Sequence, residues 1–493
     1  MPTPKMMGME TEYNIYSDKK EPSASEAVNL MISLLKSEPL GLDKRAAMPT
    51  RCFLANGGLV YKDMGAPEYC TPECPNPKDL VVFDKAGELI VQELARKVSV
   101  LSNCAISVYK KCSDGFGNTS GCHENYSVDP ALFSTLTSGQ PNNPAIALWT
   151  TFLAIRQVII GGGKVGSEFD GMPCPFQMSQ RADFIVAFRN NNTLSDRPVI
   201  QTRDEALANG NLVKRLHVIC GDANLCEPAM LMKGGLTSLM LMALEDDYFR
   251  DRLLPVFVKK IPKIFRAISR DINLERRYDT TVIGAGGHSI HQLTALEILG
   301  QYLSVLSDYL SDASGQFGTE ENNRAYNQTM ETAFSVFGDL LERNYNSLFG
   351  VCDWVTKLIL FERFLKKRDQ VSDTDLRSYV DMGYANTDRI SSVYAGLARK
   401  GLIKRVVSDE EIKRALTVPP SQGRAPQRVR IMQKFPNNIK YIDWNKITLV
   451  QSNKEFSIEF NTPFGYDSDR FHWAIESSKS PEGFFRVLKS VTK

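Results

Sequence analysis

The chain of 493 residues is 43% apolar and 24% charged, and its 59 basic and 57 acidic residues leave a formal charge of +2. It is too long for one ordinary domain but fits a large domain with a smaller one, and its composition is ordinary for a globular protein. The balanced charge gives no electrostatic ground for nucleic-acid binding, and no window approaches the roughly 18 consecutive apolar residues of a membrane span.

In chain order, strands are expected at 6–15, 59–63, 105–111, 124–128, 181–189, 199–202 and 216–220. The chain starts on a polar strand rather than an apolar leader, which predicts no export and a cytoplasmic location. Helices are expected at 23–35, at 79–102, where Leu80, Val81, Leu89, Ile90, Leu94 and Val98 keep a helical rhythm, and at 144–160, stopped by Gly161-Gly162-Gly163. From 228 to about 400 the pattern turns mostly helical, most clearly at 231–244, 292–310, 326–343 and 353–368. Met230, Met232, Met240 and Met242 read as core filler. Val418-Pro419-Pro420-Ser421-Gln422-Gly423, beside Arg424, Arg428 and Arg430, marks a linker or an ordered loop. Short strands at 447–450 and 456–459 and a helix at 481–491 complete a small appended domain. The organisation is α+β, with a large domain over 1–416 and a small one over 417–493.

The ten cysteines include no Cys-x-x-Cys pair. Structural zinc usually needs paired, closely spaced thiolates, so reduced buried thiols are expected. The glycine runs at 161–163 and 284–287 (followed by His288) lack the spacing of a phosphate-binding loop and read as turns. There is no serine nucleophile elbow, no HExxH and no catalytic-cysteine signature.

Acidic residues carry the chemistry. Side chains of a strand alternate faces, so Glu10 and Glu12 point the same way, as do Tyr61 and Asp63. With Glu68 close behind, the sheet face becomes rich in oxygen ligands, which is costly unless cations sit on it. Oxygen-ligated Mg²⁺ usually works with nucleotide phosphates. In Gly121-Cys122-His123-Glu124-Asn125-Tyr126, Glu124 and Tyr126 share one face and His123 and Asn125 the other, and one of these faces can add a ligand to the metal sheet. Arg203 and Arg215 are candidates to neutralise phosphate. His217, on an otherwise apolar strand, is either a core histidine or a site residue.

These stretches together resemble one family. GMETEY (8–13), NGGLVYKDMGAPEYCTPEC (56–74), FDKAGE (83–88), GNTSGCHENY (117–126), SQRADFI (179–185), TRDE (202–205), RLHVICGDANLCE (215–227) and Tyr441-Ile442-Asp443-Trp444 resemble the Pup ligases and their sister depupylase/deamidases. Both belong to the carboxylate–amine ligase superfamily that includes glutamine synthetase. The resemblance implies a glutamine-synthetase-like domain with a concave antiparallel sheet packed against helices, and a small C-terminal domain that contributes to an ATP site. It implies ATP and Mg²⁺, with Glu10, Tyr61 and Glu68 as metal ligands, Asp63 as the catalytic carboxylate, and Thr71 and Trp444 on ATP. Glu12, Glu124, Arg203, Arg215 and His217 fall in site motifs without a fixed role. The implied partners are a Pup-like modifier and lysine-bearing target proteins, with no nucleic acid and no membrane. The implied reaction activates the side-chain carboxylate of the modifier's C-terminal glutamate as a γ-glutamyl phosphate, which a target lysine attacks.

Two departures stand out. Leu59 occupies the position, two residues before the metal tyrosine, where the family carries an ATP-contacting arginine. The segment from Asp63 to Glu68 is one residue shorter than the Pup-ligase pattern, which points to a divergent modifier. The depupylase branch carries a long insertion before the aspartate strand, and the compact stretch from Glu12 to Asp63 leaves no room for one. That and GCHENY favour the ligase branch, whereas GDANL and GGKVGSEFDGMP resemble the depupylases. A small-molecule glutamate–amine ligase and a catalytically dead scaffold are the readings from other classes.

Overall fold

The computed structural model describes residues 4–168, 173–257, 260–283, 290–313, 315–366, 372–464 and 469–491. The glycine run at 284–287, His288 and part of GGKVGSEFDGMP lie outside them.

The centre is a six-stranded antiparallel sheet. Its strands are β1 (Met7–Glu12), β2 (Arg51–Phe53), β3 (Leu59–Asp63), β4 (Ala66–Cys70), β5 (Cys122–Val128) and β6 (Lys214–Val218), in the spatial order β6-β5-β1-β4-β3-β2. Met7, Met9, Tyr126, Val128, Leu216 and Val218 face one side and join the main apolar core. That side is covered by α2 (Pro77–Ser102) and α3 (Glu227–Glu245), whose residues Leu80, Met230 and Leu236 belong to the same core. The helix α1 (Ala24–Ser37) lies between β1 and β2 and opens with a capping box from Ser23 and Glu26. It is the one helix between Glu12 and Asp63, flanked there by the strands Asn14–Ser17 and Arg51–Phe53.

α2 starts two residues before the expected 79 and ends, as expected, at 102. Asn76 caps its amide groups, Pro77 takes the first turn, and Asn103 ends it in the left-handed region. Gly87 is required inside it, because a Cβ there would lie 2.1 Å from the Tyr69 ring. The strand expected over 6–15 breaks at Tyr13, whose amide turns to Pro67 while the chain continues as a separate strand, Asn14–Ser17.

The stretch after residue 228 is less uniformly helical than its pattern suggests. Leu254–Val256, Arg277–Ile283 and Ile290–Thr294 form a three-stranded antiparallel sheet. The helix expected from 292 begins at Ala295, because Thr294 and Glu297 form a capping box that fixes its start. The strands β2 and β4 were not expected. They are short, and only pairing with β3 and β1 makes them strands.

After the proline-rich break come α4 (Ala425–Lys434) and a three-stranded sheet of β7 (Ile439–Ile442), β8 (Lys446–Gln451) and β9 (Lys454–Glu459). Its apolar residues Ile442, Ile447 and Leu449, with Phe484 of the helix Pro481–Val491, form one cluster with Phe53, Leu59 and Cys70 of the central sheet. The C-terminal unit therefore packs on the β2–β3 edge of the sheet. All ten cysteines are free thiols, and all but Cys174 are buried. Among the described residues no helix is long and apolar enough to cross a membrane.

Candidate active site

Cross-strand register places the side chains of the open face in rows. His123, Glu10, Cys70, Leu59 and Phe53 are successive partners across the sheet. The next row runs Glu12, Glu68, Tyr61 and Arg51. Asp63 follows Tyr61 on the same face and pairs with Ala66. On the other flank, His217 stands opposite Asn125.

The carboxylates and imidazoles fall into two groups. Donor atoms of Glu10, His123 and His217 lie within 4.8 Å of one another, and so do those of Glu12, Asp63 and Glu68. Tyr61 adjoins the second group through its partner Glu68. Among the described residues no lysine or arginine forms an ion pair with Glu12, Asp63 or Glu68. An unpaired, half-buried set of carboxylates fits a divalent cation, and imidazole with carboxylate suits the first group equally.

The first group is held by a polar network. Asn125 donates through Nδ2 to Glu10 at 3.0 Å, and its Oδ1 accepts from Arg215 at 2.8 Å. His217 Nδ1 lies 2.9 Å from the same Oδ1. With Oδ1 fixed as an acceptor, the His217 proton is on Nδ1 and Nε2 keeps its lone pair. Burial pushes the His217 pKa well down, which keeps the ring neutral. Burial also works to raise the Glu10 carboxyl, but the bond to His123 and the charge of Arg215 hold it well below the usual range.

The second group behaves in the opposite way. Burial raises Glu68, and Glu10 and Glu12 raise it further. Burial and the charge of Glu12 raise Asp63, while His123 and Arg203 pull it back. Burial, then Cys70 and Glu68, push the Tyr61 hydroxyl far up. Glu12 is oriented by the Gly121 amide, which donates to Oε2 at 2.7 Å. Only glycine fits there, since a Cβ on residue 121 would sit 2.3 Å from His123 Nε2.

A cleft of about 610 Å³ opens beside Glu10. Met9, Thr71, Lys214, Arg215 and Trp444 are among the residues that line it. Thr71 accepts from the Met9 amide at 3.0 Å, so its hydroxyl is anchored to β1. Trp444 reaches the cleft from the C-terminal unit, with its ring edge-on to Phe53 at 5.4 Å.

One expected site residue is corrected. Glu124 lies on the helix-covered face and is fully buried. It accepts from Arg156 at 2.6 and 2.7 Å and from the Tyr126 hydroxyl at 2.8 Å. Register decides this: Glu124 pairs with Met9, whereas His123 pairs with Glu10. His123 and Asn125 are the residues of GCHENY that reach the site. Arg203 and Arg215 both act on it electrostatically. Leu59 is buried in the apolar cluster with Phe53 and Trp444.

Sequence reading missed a set of supports. Glu73 receives Arg424 at 2.6 Å and Arg428 at 2.9 Å, tying the loop after β4 to the C-terminal unit. Burial favours raising Glu73, but Arg428 and then Arg424 reverse this and bring it to about 2. The only sequence signal was the arginine cluster after the prolines.

A family model described as Pup-ligase protein matches residues 5–448. The chain belongs to the Pup-ligase family. Among family members it is 33% identical over 427 residues to a Pup–protein ligase of Acidimicrobium ferrooxidans, covering 85% of this chain and 88% of that one. It is 34% identical over 396 residues to a Pup deamidase/depupylase of Mycolicibacterium smegmatis, covering 80% and 74%. The structure matches that of the complex between the prokaryotic ubiquitin-like protein Pup and its ligase PafA with a TM-score of 0.79 and 26% identity, over 96% of this chain and 92% of that one. It matches PafA in complex with ADP with a TM-score of 0.73 and 27% identity, over 92% and 93%. The α+β, glutamine-synthetase-like architecture expected of the family is the one found.

Proposed function

We propose that this protein is an ATP-dependent ligase that joins the C-terminal glutamate side chain of a Pup-like modifier to lysines of target proteins. One observation carries the reading: unpaired carboxylates of Glu12, Asp63 and Glu68 within 4.8 Å, on the face beside the cleft that Trp444 closes. A ligase with ADP bound is among its structural matches, and it spans more of its ligase relative than of its depupylase relative.

In this reading ATP lies in the cleft between Thr71 and Trp444, with its phosphates toward Glu10 and Arg215. Residues 417–493 act as a small domain over a catalytic domain of 1–416. Glu10, Tyr61 and Glu68 would hold Mg²⁺, with Glu12 beside Glu68 and with His123 and His217 beside Glu10. Bound there, it supplies charge neutralisation for phosphoryl transfer.

Hydroxide is a poor leaving group, so a carboxylate and an amine do not condense unaided. A glutamate side-chain oxygen attacks the γ-phosphorus and ADP leaves, giving a γ-glutamyl phosphate. The lysine amine then attacks the acyl carbon, phosphate leaves and an isopeptide bond forms. A lysine is mostly protonated near neutral pH, its reference pKa being about 10.4. Asp63 accepts the proton, and its raised pKa suits that role. We place the enzyme in the cytoplasm, where its free thiols stay reduced.

The test is incubation with ATP, Mg²⁺, a Pup-like protein and a lysine-bearing target, read by intact mass. A gain equal to the modifier minus water supports ligation. Release of modifier from a preformed conjugate, without net ATP consumption, establishes the depupylase instead.

A further inference from the structure

The corner Tyr441-Ile442-Asp443-Trp444, which carries Trp444 into the cleft, is gripped from the central sheet. It makes internal bonds of its own. Asp443 accepts from the Trp444 amide at 2.9 Å and from the Tyr441 hydroxyl at 3.0 Å, and its amide donates to Lys446 at 2.8 Å. Such a tight polar turn needs an outside anchor to fix its direction.

Arg51 supplies that anchor. It sits on the edge strand β2, opposite Tyr61, and so on the face that carries the acidic site. Its Nη2 donates to the Ile442 carbonyl at 2.5 Å, and its Nη1 lies 3.9 Å from Asp443 Oδ2. From the other side, Arg428 donates to the Trp444 carbonyl at 2.9 Å and stacks on the Trp444 ring at 5.0 Å. Arg428 is fully buried and fixed by Glu73 and by the Gly57 carbonyl. Trp444 thus has one support inside its own unit and one from the sheet.

We propose that Arg51 is a positioning residue: through Ile442 and Asp443 it fixes the direction from which Trp444 enters the cleft. The proposal rests on the nucleotide reading of that cleft. Charge-assisted bonds to backbone carbonyls are directional, so losing the guanidinium frees the corner without emptying the apolar cluster beneath it. A neighbouring contact provides a control. Arg45 also reaches this strand, donating to the Lys440 carbonyl at 3.1 Å, but it touches neither Ile442 nor Asp443. The buried Nε of Arg51 has no hydrogen-bond partner, so direct contact with a phosphate is the competing role.

The experiment combines hydrogen exchange on the nucleotide-free protein with calorimetric ADP binding. The variants are Arg51→Met, Arg51→Lys, Arg45→Met, Trp444→Ala and Arg51→Met/Trp444→Ala. Arg51→Met is expected to speed exchange at the amides of 442–446 while β8 beyond Lys446 and β9 stay protected, and Arg45→Met to leave 442–446 unchanged. ADP affinity is expected to fall about tenfold in Arg51→Met, the scale of one lost aromatic stacking contact, and to recover in part in Arg51→Lys. In the Trp444→Ala background the Arg51 change should cost nothing more, because its effect passes through the ring. An equal loss with or without Trp444 overturns the proposal in favour of direct contact, and unchanged exchange at 442–446 overturns it outright. A parent protein that binds no ADP while its exchange still responds to Arg51 would refute the nucleotide reading and leave the grip on the corner standing.

Discussion

Glu68 stands directly across from Glu12 on the adjacent strand, and neither carboxylate is matched by a lysine or arginine among the described residues. Like charges directly opposite in a sheet are destabilising. In the proposed function a cation over the pair offsets that repulsion. Glu68→Gln should therefore stabilise the metal-free protein by about 1 kcal/mol while abolishing turnover. The check is thermal unfolding with EDTA and with Mg²⁺. The parent should gain stability from Mg²⁺ and the variant much less. A variant less stable than the parent in EDTA would mean that the two acids do not repel.

Asp63 shares the face of Tyr61 and has no ion-pair partner among the described residues. Asp63→Asn keeps its size and removes the proposed base. Ligation should be lost, read by intact mass, while calorimetric ATP affinity stays within about twofold. Loss of nucleotide binding would mark Asp63 as a binding residue.

Gly121 lies where the backbone must approach both acidic groups. A Cβ there would come 2.7 Å from Glu12 Oε1 as well as striking His123. Gly121→Ala should lower kcat/KM by about a hundredfold, the cost of roughly 1 Å of misplacement, with an unchanged far-ultraviolet spectrum. Full activity would show that neither Glu12 nor His123 needs its present position.

The pair of arginines on Glu73 gives a pH dependence of known sign. The Glu73 carboxyl is held at about 2, below its ordinary 4.5. A depressed carboxylate contributes stability above its unfolded pKa and loses it as pH falls toward the folded one. The contact between the C-terminal unit and the sheet should weaken from about pH 4.5 down to about 2. Glu73→Gln should remove that dependence and cost about 3 kcal/mol at neutral pH, because two buried guanidinium groups lose their counter-charge. Urea unfolding as a function of pH measures both.

Leu59 is buried against Phe53 and the C-terminal unit. Placing at this position the arginine that the resemblance implies should not improve the enzyme. Leu59→Arg would bury an unpaired charge in an apolar cluster and destabilise the protein by about 3 kcal/mol or more. Higher ATP affinity in this variant would refute that.

The elements legible from residue order were those with a local rule. Alternation aligned Glu10 with Glu12, and the apolar rhythm marked α2 from 79, two residues after its true start at Pro77. The faces of GCHENY were legible as a pair, but not which of them met the acids. That depended on Glu124 falling opposite Met9 and His123 opposite Glu10.

What the chain order alone settled was therefore the local geometry and the kind of atoms on offer: oxygen donors alternating along strands, helices with their caps, and motifs specific enough to identify a family. Folding decided the partners. Glu73 and Arg428 are 355 residues apart, and Arg51 and Ile442 are 391. No periodicity spans such distances. Alternation fixes side-chain direction within one strand, whereas a binding site depends on the register between strands, which is set by packing the whole core at once.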